Sequence, residues 1–281
     1  MTSMAPSSLS IAVVTHAPDE RLLARALASL AQAVACAMEH GTLAAARLTL
    51  VDNGPEGNET ALWNLCEAAL ERAPGMSFQV ISGHGNVGFA QANNLALANT
   101  TGAAHLILNP DVEMEREALD AALRHLDAHP EVGAITPAVR GPDGTRQYLV
   151  KGYPGLGVLF VRAFMPAFLR FPFKGMLERY ERREVDWDRE QSPVTIASGC
   201  FLLCRRSALE AVGGFDAEYF LYFEDFDLTL RLSRVTTIAY LPQVRIVHHG
   251  GQAAMKGLRH ILWFVQSGKR FFSTHGWFGR P

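Results

Sequence analysis

The chain has 281 residues, 48% hydrophobic and 19% charged, with a formal net charge of -2, a globular composition long enough for one large domain or two small ones. That near-neutral balance gives no argument for nucleic-acid binding by bulk charge. Four scattered cysteines (Cys36, Cys66, Cys200, Cys204) form neither a CxxC pair nor a zinc-site spacing, as expected for small core residues in a reducing compartment.

The opening MTSMAPSSLS lacks the basic start and apolar run of a signal peptide. No window approaches the ~18 uncharged apolar residues of a membrane span, so a cytoplasmic protein is expected. Ser10 to Thr15 is a short β-branched apolar run and predicts a buried strand. Leu22, Leu23, Ala26, Leu27, Leu30, Ala33, Val34 and Ala37 then repeat with helical spacing. Further strands are expected at Arg47–Val51, Phe78–Ile81, His105–Leu108 and Val132–Thr136. They alternate with helices at Ala61–Ala73, from about Gly88 to Asn99, and at Glu115–Ala128. This rhythm predicts a mostly parallel sheet with helices on both faces, in which ligands bind at the C-terminal ends of the strands. Polar residues cluster at those ends: Thr15-His16, Asp52-Asn53, Gly85-Asn86 and Asn109-Pro-Asp111.

The pattern changes after about Arg140. Residues 152–175 are apolar but interrupted by Arg162, Arg170 and three prolines. Val194 to Cys204 reads as a strand bent at Ser198-Gly199, Val244 to Val247 as another strand, and the chain from about Met255 as a helical tail. The expected organisation is one domain, with a first half over residues 8–140, a second over 141–254 and the tail over 255–281.

Each candidate group has a structural and a functional reading. Asp52-Asn53 can close an Asx turn or hydrogen-bond a base or ribose. Gly83 to Gly88, running into FAQANN, can cradle phosphate on helix N–H groups, though it matches neither the dinucleotide fingerprint nor the P-loop. Asn93 and Asn94 are poor mid-helix residues, suited to a ligand or to a solvated face. Asp111 can favour a helix N-terminus or hold a hard cation together with substrate phosphates. Of His248 and His249, which a strand sends to opposite faces, one can complete a mixed nitrogen–oxygen metal site. In FLYFEDFDLTLR (220–231), Asp227 and Arg231 form an i,i+4 pair. Glu224 and Asp225 stand among aromatics, where desolvation would raise a carboxylate's pKa and make it a better base.

The segments IAVVTH, LVDNG, GNVGFAQANN, LILNPDV, SGCFLLCRRSAL, GGFDAEYFLYFEDFDLTLR and VHHGG lie in this order across residues 10 to 251. Together they resemble the inverting nucleotide-sugar glycosyltransferases of family 2, especially the rhamnosyltransferase-like branch. The resemblance implies a GT-A fold, a divalent metal (Mg2+ or Mn2+), and a single displacement with inversion at the anomeric carbon. Thr15, Asp52 and Asn53 would line the nucleoside pocket, while Asn86, Gly88 and Asn93 or Asn94 would sit beside the nucleotide and its sugar. Asn109-Pro-Asp111 resembles the family's Asp-x-Asp, with Asn in place of the first acid and Asp111 on the metal. His248 resembles the C-terminal metal or diphosphate ligand, and Ser198-Gly199 the donor-sugar and acceptor wall. Asp225 would be the catalytic base, with Glu224 holding the acceptor or tuning the base.

Such segments point to dTDP-L-rhamnose as donor, with UDP sugars as the alternative, and to a growing polysaccharide or lipid-linked glycan of a bacterial envelope as acceptor. The aromatic-basic stretches 152–183 and 258–277 suit either peripheral contact at the inner face of the cytoplasmic membrane or a homo-oligomer interface or core helix. A nucleotidyltransferase would need a basic glycine-rich loop after the first strand, which Thr15-His-Ala-Pro-Asp19 does not supply. A catalytically inactive sugar-nucleotide-binding protein would be expected to have lost Asp111, Asp225 or His248, and all three are present.

Overall fold

The computed structural model describes residues 7–71, 73–98, 100, 102–250 and 258–277. The first half alternates as expected: β1 (Ser7–Thr15), α1 (Glu20–Glu39), β2 (Leu43–Asp52), α2 (Glu59–Leu70), β3 (Met76–Ile81), α3 (Phe89–Ala98) and β4 (Ala104–Leu108). Asp19 starts α1 by accepting the backbone N–H groups of Arg21 and Leu22. Among the described residues α1 alone is long and apolar enough to cross a membrane, but Leu23, Leu27, Leu30 and Val34 are buried in the core, so the sheet accounts for its apolar face.

Beyond β4 come β5 (Val112–Met114), α4 (Ala118–Ala128), β6 (Val132–Arg140), β7 (Arg146–Gln147) and β8 (Val150–Lys151). The segment 152–175 forms no long helix. It contains α5 (Leu156–Phe164), two 3-10 turns (Ala167–Leu169 and Phe171–Phe173) and the start of α6 (Lys174–Tyr180). Then follow β9 (Ile196–Ala197), β10 (Phe201–Arg205), α7 (Arg206–Ala211), α8 (Glu224–Leu232), β11 (Thr237–His248) and α9 (Leu258–His275). The expected start of the tail at Met255 lies outside the described residues.

The main sheet runs in the order β3-β2-β1-β4-β10-β6-β11-β5. β3, β2, β1 and β4 are mutually parallel. β10 enters antiparallel between β4 and β6, which restores β6 and its parallel neighbour β11 to the direction of β4. Hence β1, β2, β4 and β11 all end at one edge, where the antiparallel β10 and β5 begin. That edge collects Thr15, Asp52, Asn109, Asp111, Gly199 and His248.

Two expectations change in detail. The strand expected over Val194–Cys204 divides at Ser198-Gly199, with β9 pairing β8 in a separate two-stranded sheet and β10 in the main one. The strand expected at Val244–Val247 is the end of a longer one that slips register between Leu241 and Arg245, around Pro242.

Candidate active site

Thr15 and Asp52 are register partners at the ends of β1 and β2. Asp52 Oδ1 accepts the Gly54 N–H at 2.8 Å and the Thr15 hydroxyl at 3.5 Å, so the Asx turn exists. Asn53 donates Nδ2–H to the Gly88 carbonyl at 3.0 Å, whereas its Oδ1 is buried without a hydrogen-bond partner. A buried lone acceptor costs about 1–3 kcal/mol, and a ligand N–H would relieve it. Asn86 Oδ1 accepts the Gly88 N–H. Gly88 has φ +85°, and a Cβ there would stand 2.5 Å from the Phe220 carbonyl oxygen, so only glycine lets this loop meet the FLYFED segment. Phe89 N–H donates to that same carbonyl at 2.8 Å.

The two asparagines of α3 are largely engaged within the protein. Asn93 is buried and donates to Phe89 O. Asn94 donates to and accepts from the Phe215 backbone at 2.8 and 2.9 Å, latching the loop before α8 onto α3. His84, in the same glycine-rich loop, has buried ring nitrogens with no hydrogen-bond partner among the described residues, and sequence reasoning passed over it.

Asp111 lies in the turn between β4 and β5. Asn109 N–H donates to the Cys200 carbonyl at 2.8 Å, and His249 N–H to the Asp111 carbonyl at 3.0 Å. The two histidines separate as strand alternation requires. His249 Nε2 meets Glu113 at 2.5 Å, whereas His248 Nε2 faces Asp111 Oδ1 at 3.6 Å. Gln147 Nε2–H donates to the His248 carbonyl at 3.0 Å, leaving Gln147 Oε1 to accept from His248 Nδ1–H at 3.0 Å. The Nε2 lone pair therefore faces the carboxylate, and burial holds the imidazole below its ordinary pKa, in the neutral form a ligand needs. A Cβ at Gly250 would lie 2.6 Å from His248 Nε2 and 2.9 Å from Asp111 Oδ2. Two facing acceptors beside a glycine that leaves them open fit a divalent cation. The described residues offer no third His, Cys, Asp or Glu there, so phosphate oxygens and water would complete the shell. Gln147, which orients His248, carries no sequence signal beyond lying near a short strand.

The acidic pair stands at the start of α8. Tyr222 and Phe223 precede it with φ +72° and +66°, consecutive left-handed conformations that cost non-glycine residues about 1–3 kcal/mol each. Their rings repay this cost against α9. Phe223 packs on Phe264 and Phe271 with centroids 5.2 and 5.3 Å apart, Phe220 lies 4.6 Å from Trp263, and the Tyr222 hydroxyl meets His260 Nδ1 at 2.9 Å. The aromatics around the two acids thus clamp α9 over the acidic turn.

Asp225 Oδ2 accepts the Gly199 N–H at 3.0 Å and Oδ1 the Phe226 N–H at 2.9 Å. Burial raises its pKa, against these donors and the Ser198 side chain. Glu224 Oε2 is buried with no partner, and burial followed by the Asp225 charge pushes its pKa up to about 8. Burial and the Asp225 charge favour the protonated form of Glu224, while the two N–H donors favour the charged form of Asp225.

Glu224 has a measurable signature. Its folded-state pKa lies above the unfolded one, so its contribution to stability is complete below about pH 4 and is lost as pH rises toward 8. Glu224→Gln, a neutral isostere, is expected to leave the melting temperature unchanged at or below about pH 4 and to raise it by about 2–4 °C for each kcal/mol relieved at about pH 8.5. Melting curves at the two pH values check this, and an equal shift at both would contradict it.

An alternating α/β half, His248 facing Asp111 at the strand ends, and the half-buried Asp225 bonded to Gly199 sit on a fold of the GT-A glycosyltransferase kind. The family described as glycosyl transferase family 2 matches residues 10–213, and the chain belongs to that family. It is 30% identical over 255 residues, 86% of its own length and 76% of the relative's, to an N-acetylglucosaminyl-diphospho-decaprenol L-rhamnosyltransferase of Mycobacterium tuberculosis. It is 29% identical to the rhamnosyltransferase WbbL of Escherichia coli over 180 residues, covering 60% of this chain and 63% of WbbL. Its fold is similar to that of the mannosyltransferase PcManGT from Pyrobaculum calidifontis in complex with GDP-Man and Mn2+, with a TM-score of 0.62 at 17% identity, covering 98% of this chain and 66% of that one.

Proposed function

We propose that this glycosyltransferase moves L-rhamnose from dTDP-L-rhamnose, with inversion, to a hydroxyl of a lipid-linked or polymeric glycan of a bacterial envelope. The observation that carries the reading is the division of labour across one edge of the sheet. His248 and Asp111 form an open two-acceptor site next to Asn109, which bonds the Cys200 carbonyl, and the half-buried Asp225 is held by the adjoining Gly199 N–H. The rhamnosyltransferase names of the relatives support the sugar.

The donor's base would lie at the ends of β1 and β2, where the unpartnered Asn53 Oδ1 can accept a pyrimidine N3–H. That contact suits thymine and uracil equally, so it does not choose between dTDP and UDP. Asp111 and His248 would hold Mg2+ or Mn2+ together with the diphosphate, and the ion would neutralise charge on the departing nucleotide. Asp225 takes the proton from the acceptor hydroxyl as its oxygen attacks the anomeric carbon opposite the leaving diphosphate, a single displacement that inverts the centre. The Gly199 N–H fixes Oδ2 while this happens, and Glu224, neutral, adds no second charge to repel the nucleophile.

Thermal shift separates the donor classes. At 100 times its Kd a ligand stabilises by about 2.7 kcal/mol, so dTDP with Mg2+ or Mn2+ is expected to raise the melting temperature by about 5 °C or more, and EDTA to remove most of that shift. His248→Ala should abolish the metal-dependent part while dTDP alone behaves as with the wild type. Stabilisation by UDP but not dTDP would overturn the donor, and no response to any nucleoside diphosphate would overturn the nucleotide-sugar reading.

A further inference from the structure

Residues 166–173 make two successive 3-10 turns that hold themselves together. Leu169 N–H donates to Pro166 O and Phe173 N–H to Arg170 O, while Arg170 reaches back to the carbonyls of Met165 at 2.8 Å and Arg162 at 3.1 Å at the end of α5. This scaffold turns its apolar side chains out of the protein: Phe168 is 79% exposed, Leu169 51% and Phe171 82%. Large aromatics held outward by a built turn mark a contact surface.

Charge identifies what the surface meets. Residues 151–183 contain seven Lys or Arg and two Glu, so they carry +5 in a chain whose net charge is -2. The first acid after Lys151 is Glu178, so Arg162, Arg170 and Lys174 flank the aromatic tip, and Glu181 and Glu178, which pair with Arg162 and Lys174, leave the segment positive. A second copy of this chain would bring the same positive segment to a symmetric contact, and the repulsion disfavours it. An anionic bilayer offers what both features need, an apolar layer for the rings and negative headgroups for the cations.

The segment also leads to the acidic pair. Gly152 N–H donates to the Tyr180 carbonyl at 2.8 Å, and Lys151 Nζ and the Arg162 guanidinium lie 5.5 and 5.4 Å from the Tyr180 ring centre. Tyr180 is buried and close enough to feel the Asp225 charge. We propose that the 166–173 turn is a docking element for an anionic lipid surface, with Phe168, Leu169 and Phe171 entering the headgroup layer and the exposed cations beside them, Arg162 and Lys174, holding it there. This deepens the proposed function by naming the surface on which a lipid-linked acceptor is met beside Asp225.

Flotation tests it, using the full chain with vesicles of phosphatidylcholine alone or mixed with phosphatidylglycerol. The wild type is expected to float with the anionic vesicles, to float less at high salt, and to stay down with phosphatidylcholine alone. Phe168→Ser/Phe171→Ser should lower the anionic-vesicle partition about tenfold or more with its melting temperature and donor hydrolysis unchanged. A wild type that does not float with anionic vesicles overturns the proposal, as does a double variant that floats equally well. Sedimentation giving a wild-type dimer that the double variant dissolves would assign the turn to self-association and overturn it too. Donor hydrolysis is read separately: its absence in the wild type would count against the transferase reading, while flotation would still judge the surface.

Discussion

Asp225→Asn is expected to lower kcat for sugar transfer by about a hundredfold to ten-thousandfold, the range of a lost general base. Donor affinity and melting temperature should stay near the wild-type values. Asparagine keeps an oxygen that can accept the Gly199 N–H now received by Asp225 Oδ2 at 3.0 Å, so the junction between the Ser198-Gly199 bend and α8 survives. What goes is the carboxylate that would take the proton from the acceptor hydroxyl. The wild-type pH profile should agree: burial raises the Asp225 pKa, so kcat should fall on the acid side above the ordinary aspartate value of about 3.9. Steady-state transfer kinetics with a direct donor-binding measurement decide the matter. A variant that transfers sugar at the wild-type rate would remove Asp225 from the chemistry.

Much of this architecture was legible because local signals and global fold agree. The β-branched runs and helical stripes of residues 10–136 specify the alternating half, and the polar residues at its strand ends follow from the rule that such sheets bind ligands there. The parts that were not legible depend on partners distant in sequence. VTIASGCFLLC reads as one bent strand, yet Ser198 N–H bonds Leu149 O and Gly199 N–H bonds Asp225, and these partners divide it between two sheets. β11 was half missed because Pro242 and a register slip interrupt its pattern. Nothing local announces that Gln147 would set the His248 tautomer, or that Asn94 would be occupied by the Phe215 backbone. The left-handed Tyr222 and Phe223 are equally silent, since only the packing of α9 holds aromatic residues in that conformation.

Asp227, two residues beyond the expected base, should behave in the opposite way. Asp227→Ala is expected to destabilise the protein by about 3–5 kcal/mol, the cost of breaking a buried ion pair from one side, and so to lower the melting temperature by about 10 °C. Asp227 is 1% exposed. It accepts the Arg231 guanidinium through two bonds at 2.8 and 2.6 Å, and His275 Nε2 at 2.7 Å. Arg234, which can only donate, contacts His275 Nδ1 at 3.2 Å, so Nε2 carries the hydrogen given to Asp227. Arg231 in turn donates to the carbonyls of Val212 and Gly214. One carboxylate thereby joins α8, the end of α9 and the glycine turn before the acidic loop. Burial alone would raise its pKa, but His275 and Arg231 outweigh burial and hold it below the ordinary aspartate value. The folded pKa is depressed, so the stabilisation is complete above about pH 4 and is lost as pH falls through the lower folded value. The Asp227→Ala penalty should therefore shrink in strong acid. His275→Ala, which breaks only the link to α9, should cost about 1–3 kcal/mol. Denaturation at neutral and acid pH measures all three effects. A small, pH-independent penalty for Asp227→Ala would show that the clamp beneath α8 lies elsewhere.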